Sequence, residues 1–429
     1  MRLKPLGHLS SEINIDTEAP NKQYPKQESD DCTLTEGGVM RANLTVLRIA
    51  QYILLIVFLF ATSSTPSAKS VEAFRLYGVV EDGGRNHRVA VANEKTRLIC
   101  ETGFNAVRHT VGWVQGQKSL NFRDQAALRN AIQAARECGL TVILTVYPYY
   151  ERALNAKPPA TSSEQGIFAD FVKDLAQEFS EVKHFEIGNE PNWSFFWWPQ
   201  FGPDGRDTAI RSYFRLLART YDKLKTLNSE IVVIGGALAS AGEDDPNALR
   251  KRHSPTRSIE LLGEYYRESG RSRPIMDWIS IHPYPERPGE PPDKPHMDST
   301  TIGFADYPKL VNLLGEAFDG TAQPGSEMPI LYSEYGVDSE IPPAKTEIYR
   351  GKETSRPVPE EVQASYYRQA FELAACQPTV VGLLLFLAVD EKRLDRWQSG
   401  IYYGNNEPKT SQPLVKAAIE RIQKGGIKC

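Results

Sequence analysis

HFEIGNEPN, residues 184–192, decides how this chain is read. The run from Phe185 to Ile187 has the character of a buried strand, and it stops at Gly188, Asn189, Glu190 and Pro191. The rest of the chain repeats that pattern. Runs of strand length recur at 74–80, 104–109, 140–148, 183–189, 230–236, 277–282, 329–336 and 380–388. Each reads as nearly continuously apolar, as expected for strands covered on both faces. Stretches with helical spacing lie between them, such as Ile167, Phe171, Val172, Leu175 and Phe179, or Ile210, Phe214, Leu217, Tyr221 and Leu224. Residues 121–138, 256–269, 305–320, 359–376 and 412–424 behave similarly. The glycines of ETGFNAV and ECGLTVI suit helix C-caps. Eight β-then-α units in about 350 residues predict an α/β fold, a (β/α)8 TIM barrel. An open doubly wound sheet is the runner-up, but no G-x-G-x-x-G follows the first strand and no P-loop pattern occurs.

In such a barrel, functional groups gather where the strands end. Strand 2 is read as ending in Arg108 and His109, and strand 4 in Asn189 and Glu190. Strand 6 ends in His282, Pro283 and Tyr284, and strand 7 carries Glu334 near its end. Two carboxylates at one mouth suggest paired acid and base work. Strands 4 and 7 stand almost opposite in an eight-strand ring, so the two groups can face each other. A lone glutamate at a strand end is ordinarily a surface or salt-bridged group. The preceding Asn189 and the matching Glu334 are what single out Glu190. His109 reads as structural.

The elements GNEPN on strand 4, SIHPYP on strand 6 and LYSEYG on strand 7 resemble glycoside hydrolase clan A, most closely families 5 and 39. The resemblance covers about residues 73–424 and is specific at the strand ends. It implies a retaining β-glycosidase acting on a poly- or oligosaccharide. Glu190 would be the acid/base and Glu334 the nucleophile. Asn189 would bind the sugar 2-OH and Tyr284 would hydrogen-bond the nucleophile. Arg108 would keep Glu334 ionised, and His282 would line the same subsite. A carboxyl separation of about 5–5.5 Å belongs to retaining enzymes and roughly 6.5–9.5 Å to inverting ones. The clan's usual tryptophan at the end of strand 8 is replaced by either Phe386 or Trp397.

After strand 4 the chain reads NWSFFWWPQFGP, with Trp193, Phe195, Phe196, Trp197, Trp198 and Phe201 close together. Exposed aromatic faces on a loop suit stacking on sugar rings, so Trp193, Trp197, Trp198 and Trp397 are expected to bind substrate. Packing against the barrel is the competing reading. The long loops after strands 3, 4 and 6 predict endo-action.

Composition sets outer limits. The chain has 429 residues, 41% hydrophobic and 24% charged, with a net charge of −4. No dense basic block invites nucleic acid. No cofactor is called for, and no metal motif is present. A metal-dependent barrel hydrolase built on Glu190, His282 and Glu334 is a minor alternative. A non-catalytic glycan-binding barrel serving polysaccharide assembly or export is another. Cys100, Cys138 and Cys376 fall at helix ends and read as buried packing rather than disulfides.

Residues 1–39 are polar without sustained period and read as disordered or as a non-native extension. Residues 40–70 have a basic flank, a short apolar run and small residues at the exit, the three parts of a secretory signal. That segment is either cleaved or kept as a membrane tether through residues 47–63. Met40 sits where translation of such a signal would begin. Both readings export the catalytic domain, placed at 71–429, to the periplasm or beyond. Asn43-Leu44-Thr45 and Asn192-Trp193-Ser194 fit the N-glycosylation pattern.

Overall fold

The computed structural model describes residues 74–82, 85–149, 157–249 and 251–429. The expected disordered extension, signal or anchor segment, start at Met40, Asn43 sequence and Cys32 lie outside the described residues. Among the described residues, no helix is long and apolar enough to cross a membrane.

The eight expected strands all form. They are β1 (Leu76–Val80), β2 (Ala106–Trp113), β3 (Thr141–Pro148), β4 (His184–Ile187), β5 (Val232–Ala239), β6 (Trp278–His282), β7 (Ile330–Tyr335) and β8 (Val380–Phe386). They pair in parallel, in chain order, and β8 closes on β1. One helix follows each strand: α1 (Val89–Thr102), α2 (Phe122–Glu137), α3 (Ser162–Glu178), α4 (Ala209–Leu227), α5 (Pro255–Glu268), α6 (Tyr307–Phe318), α7 (Glu360–Ala375) and α8 (Ser411–Gln423). The doubly wound alternative is therefore set aside in favour of the (β/α)8 barrel.

Local chemistry explains where helices start and stop. Thr161 and Glu164 form a reciprocal capping box at the start of α3, and the Ser254 side chain caps α5. Gly103 ends α1 in a left-handed conformation at φ 90°, as its place in ETGFNAV suggests.

Two packed layers result. Outward-facing strand residues such as Val107, Leu144, Phe185, Val233 and Ile279 pack on the helices. Inward-facing residues of the lower barrel, among them Leu76, Ile143, Ile234, Trp278, Leu331 and Leu384, form a second cluster. One step up, the same inward rows change character, to Arg108, Thr145, Glu186, Ser280 and His282, all buried. The upper barrel is thus filled with polar groups that must satisfy one another.

Two sequence expectations change here. Strand 2 does not end at Arg108 and His109 but runs on to Trp113. Arg108 therefore rises from mid-strand, where its length carries the guanidinium up to the mouth. His109, on the opposite face, bonds the Glu81 carbonyl through Nδ1 at 2.8 Å, in keeping with a structural role. The cysteines also differ from expectation. Cys100 pairs with Cys138 and Cys376 with Cys429, at Cα separations of 6.5 and 5.3 Å. Cys100 and Cys138 end the adjacent helices α1 and α2, and Cys376 caps α7 beside the tail after α8. Helical spacing along one helix does not reveal that two helix ends meet.

Candidate active site

The site is built on the turn that follows β4. Gly188 has φ 98°, and a Cβ there would come within 2.8 Å of the Tyr213 ring. Glycine is thus required both by backbone and by space. Tyr213 donates to the Ile187 carbonyl at 2.6 Å and accepts from the Gly236 amide at 2.8 Å, locking the end of β4 to β5. Glu190 itself adopts φ 42°, and its amide donates to the Ala237 carbonyl at 2.8 Å. A non-glycine residue held there is strained, and such strain concentrates at working sites.

Asn192 spans the base of this turn. Its side chain donates to the carbonyls of Ala239 and His253 and accepts from the Ala239 amide. It is wholly buried, which removes the Asn192-Trp193-Ser194 sequence from consideration for glycosylation.

Six of the expected side chains converge on one centre. His282 Nδ1 lies 3.0 Å from Glu190 Oε1 and 3.9 Å from Glu334 Oε2. Tyr284 donates to Glu334 Oε1 at 2.9 Å. Arg108 reaches Glu334 Oε2 through Nη1 at 3.2 Å and Asn189 Oδ1 through Nη2 at 3.0 Å. The Arg108 contact fixes the Asn189 amide so that its nitrogen is left for a ligand.

The two carboxylates occupy unlike surroundings. Glu334 has a cation and a phenol on its two oxygens. Burial pushes Glu190 above the usual carboxylate range; it outweighs the downward pull of the His282 hydrogen bond and charge, and the Glu334 charge adds a lesser push upward. Burial lowers the basicity of His282, but the Glu334 and Glu190 carboxylates outweigh it and raise the imidazole above its ordinary value. Tyr284 is held well above the ordinary phenol range, first by burial and then by the Glu334 charge, so it stays a donor. The centre thus holds one carboxyl that favours its proton beside one anchored by Arg108 and Tyr284.

Two functional side chains escape a reading by motif. Glu186, inside the run taken as an apolar strand, is completely buried and accepts from Arg108 Nε at 2.6 Å. Thr145 on β3 accepts from Arg108 Nε and donates to the same Glu186 oxygen, each at 2.6 Å. Burial alone would raise Glu186, yet Arg108, His282 and Thr145 together bring it below the ordinary carboxylate range. The available signal was a charge within a strand covered on both faces, which demands a partner.

The aromatic loop is largely folded in. Trp193 and Trp197 are buried, the first against Phe195 and Phe196 and the second edge-on to Tyr213. Arg252 lies over the Trp193 ring at 5.6 Å. This packing leaves little of the Trp193 and Trp197 rings exposed for a sugar to stack on. Trp198, 38% exposed, is the loop tryptophan left facing solvent. Trp397 is half-buried and folds back edge-on to Phe386 at 5.1 Å, so both candidates for the end of strand 8 stand together.

An open groove of about 1260 Å³ lies elsewhere, over the outer face of α4. Three of its cations are paired: Lys223 with Asp170, and Arg271 and Arg273 with Asp222. That groove has none of the convergent acid–base chemistry of the barrel mouth.

The model of the family Cellulase (glycosyl hydrolase family 5) matches residues 69–252. That stretch includes Arg108, Asn189 and Glu190 and stops before His282, Tyr284 and Glu334. No curated protein sequence matches the chain. Among solved structures, the chain is similar to a glycoside hydrolase family 5, subfamily 18 enzyme from Streptomyces cattleya in complex with GlcNAc. The TM-score is 0.54 at 15% identity, covering 82% of this chain and 80% of that one. It is also similar to a family 39 enzyme from Xanthomonas axonopodis pv. citri, with TM-score 0.51, 16% identity and coverage of 83% and 67%. A third is the exo-β-1,4-mannosidase Op5Man5 from Opitutaceae bacterium strain TAV5, with TM-score 0.50, 14% identity and coverage of 83% and 60%. At these identities the structures speak for the fold, and the family match supports a glycoside hydrolase. The chain thus carries a glycosyl hydrolase family 5 match over residues 69–252 and, as a whole barrel, resembles clan A of the glycoside hydrolases.

Proposed function

We propose that the chain is a retaining β-glycosidase of poly- or oligosaccharides, with Glu190 as acid/base and Glu334 as nucleophile. The observation that carries this reading is the asymmetry of the two carboxylates around His282. Glu190 is driven by burial to hold a proton, whereas Glu334 is gripped by Arg108 and Tyr284. Their nearest oxygens stand no further apart than the two His282 distances laid end to end, 3.0 and 3.9 Å. Both carboxyls therefore face one gap of the size of a sugar bond, which is compatible with the close spacing of about 5–5.5 Å that retention uses.

The steps of this reading are those of a double displacement. The Glu334 carboxylate attacks the anomeric carbon while Glu190 gives its proton to the glycosidic oxygen. The bond from the anomeric carbon to that oxygen breaks, and the leaving sugar departs as an alcohol. A glycosyl ester remains on Glu334. Glu190, now a carboxylate, takes a proton from water as the water oxygen attacks the same carbon and frees Glu334. The amide nitrogen of Asn189, whose oxygen accepts from Arg108, would meet the sugar 2-OH. Trp397 and Phe386 are the aromatic candidates for the floor of the cleaved-sugar subsite.

Endo-action and export belong to the same proposal. With Trp193 and Trp197 packed away, an extended binding surface would rest on Trp198 and Trp397. Product-size analysis checks this, since endo-action shortens a polymer by large steps and exo-action releases small sugars from the start. Two disulfides fit an oxidising compartment, in line with the signal-like segment at 40–70. Fractionation of the producing cell, with the mature N-terminus read by mass spectrometry, separates secretion from a retained tether.

The function is tested by incubating the exported domain with a panel of β-glycans. The same panel is then run with Glu334→Ala and with a chelator. Activity should vanish in the variant and survive chelation. Full activity in Glu334→Ala ends the assignment, and loss on chelation favours a metal-dependent reaction.

A further inference from the structure

We propose that Glu186 is a positioning residue for this chemistry: it holds the Arg108 guanidinium where it reaches Glu334 and Asn189, and it sets how much of that cation's charge Glu334 feels. The inference rests on the reading of Glu334 as nucleophile.

The geometry is that of one cation divided between two carboxylates. Arg108 meets Glu186 at 2.6 Å and Glu334 at 3.2 Å. The closer partner is the carboxylate that never meets solvent, since Glu186 has no exposed surface. Thr145 closes a three-membered ring with them, accepting from Arg108 Nε and donating to the Glu186 oxygen that Nε also meets. With Nε fixed from below, the rest of the planar guanidinium points upward. Nη1 then falls on Glu334 and Nη2 on Asn189. Arginine's rigid fork is what allows one end to be clamped and the other aimed.

The groups around Glu186 make this clamp electrically significant. Arg108 faces it from β2 and His282 from β6, both adding positive charge. Tyr213 of α4 feels the Glu186 charge and is held above the ordinary phenol range, mainly by burial. Tyr213 is therefore a neutral phenol at ordinary pH. Glu334 on β7 is the second carboxylate on the same cation. Glu190 lies beyond, on the far side of His282. A negative charge at Glu186 therefore draws on Arg108 from below and weakens its hold on the nucleophile. Removing that charge while keeping the shape should free the cation for Glu334.

Glu186→Gln preserves an acceptor oxygen for Arg108 and Thr145 and removes only the charge. The pH profile of kcat/KM is measured on a small chromogenic glycoside. The low-pH limb should move about 0.5–1 pH unit toward acid, as expected when a like charge near a carboxylate is removed. kcat should fall several-fold with KM little changed, because the guanidinium is less firmly aimed. Glu186→Asp restores the charge but withdraws the carboxylate by one methylene. It should return the limb toward wild type without restoring kcat. A merely structural ion pair would lower Tm and leave the pH profile in place, and that result overturns the proposal. Should Glu186→Gln not fold, Thr145→Val removes the hydroxyl that shares the Glu186 charge, leaves more of that charge pulling on Arg108, and should give a smaller shift of the limb in the opposite direction, toward higher pH. An unmoved profile in folded Thr145→Val likewise overturns the proposal. Glu334→Ala is run alongside. Full activity there defeats the glycosidase reading itself, whereas an inactive Glu334→Ala beside a wild-type profile in Glu186→Gln defeats only the role of Glu186.

Discussion

At the scale of single residues, the site surrounds two chemically identical side chains with opposite environments, and the proposed mechanism gives them opposite tasks. Glu190 is desolvated, strained in its backbone and bonded to a shared imidazole, whereas Glu334 is held by a cation and a phenol. Tyr284→Phe removes a donor to a charged group without changing shape. Such a bond contributes about 1.5–3 kcal/mol, so kcat/KM should drop roughly 10- to 100-fold while Tm holds. Steady-state kinetics beside a thermal melt checks both. Glu190→Ala should depend on the leaving group, because an activated aryl glycoside departs without a proton and an alkyl glycoside does not. A much larger loss on the alkyl substrate is expected, and equal losses would remove Glu190 from the acid role.

Asn189, Glu190, His282, Tyr284 and Glu334 were legible because each follows an apolar run whose end marks the barrel mouth. Glu186 was not, because hydrophobic neighbours on either side masked the inward-facing charge. The burial of the Trp193 and Trp197 rings was hidden for a related reason. Local composition cannot tell a loop that presents its aromatics from one that folds them under itself.

At the scale of elements, the strand ends do the positioning. Gly188 lets β4 turn beneath Tyr213, and Asn192 ties the turn to β5. Gly188→Ala would force both the left-handed backbone and the Tyr213 ring, at a cost of about 1–3 kcal/mol. It should reduce kcat more than stability alone explains, since Glu190 is two residues away, and kinetics well below the melting range checks this. Eight strands and their helices were visible in the alternation of periods, but the length of β2 was not. Val111 and Trp113 continue β2, yet the polar pair Arg108 and His109 looked like an end. Both disulfides sit at helix C-termini, the end of the barrel away from the site. They close sequence separations of 38 and 53 residues. Cys429→Ser should therefore lower stability by about 2–4 kcal/mol and leave kcat unchanged, as read by denaturant melts beside an activity assay.

At the scale of the whole molecule, two buried histidines oppose one another in pH. Burial lowers His109 to about 4, so it is neutral in the fold. The unfolded chain takes up that proton first, near the ordinary value of about 6.5, and stability should fall as pH drops from there toward 4. His253 is opposed by burial but raised to about 9 by Asp207 and Asp244. Its contribution is fully present below about 6.5 and is lost as pH rises through 9. Each histidine is worth about 1–3 kcal/mol on this reasoning, which places the stability maximum between the two windows. Chemical denaturation across pH 4–9.5 checks the shape, and His253→Gln should flatten the alkaline side. That site ties the loops after β4 and β5 together near Glu190, through Asp207, Asp244 and the contact of Asn192 with the His253 carbonyl.

The barrel, its polar upper interior and the two unlike carboxylates lead to one claim, that Glu334 forms a covalent bond to the sugar. A panel of activated 2-deoxy-2-fluoro glycosides, whose esters turn over slowly, followed by peptide mass spectrometry, tests it directly. The account predicts one added fluorosugar on the peptide containing Glu334 and none in Glu334→Ala. A label on Glu190 instead, or hydrolysis that continues in Glu334→Ala, would contradict it.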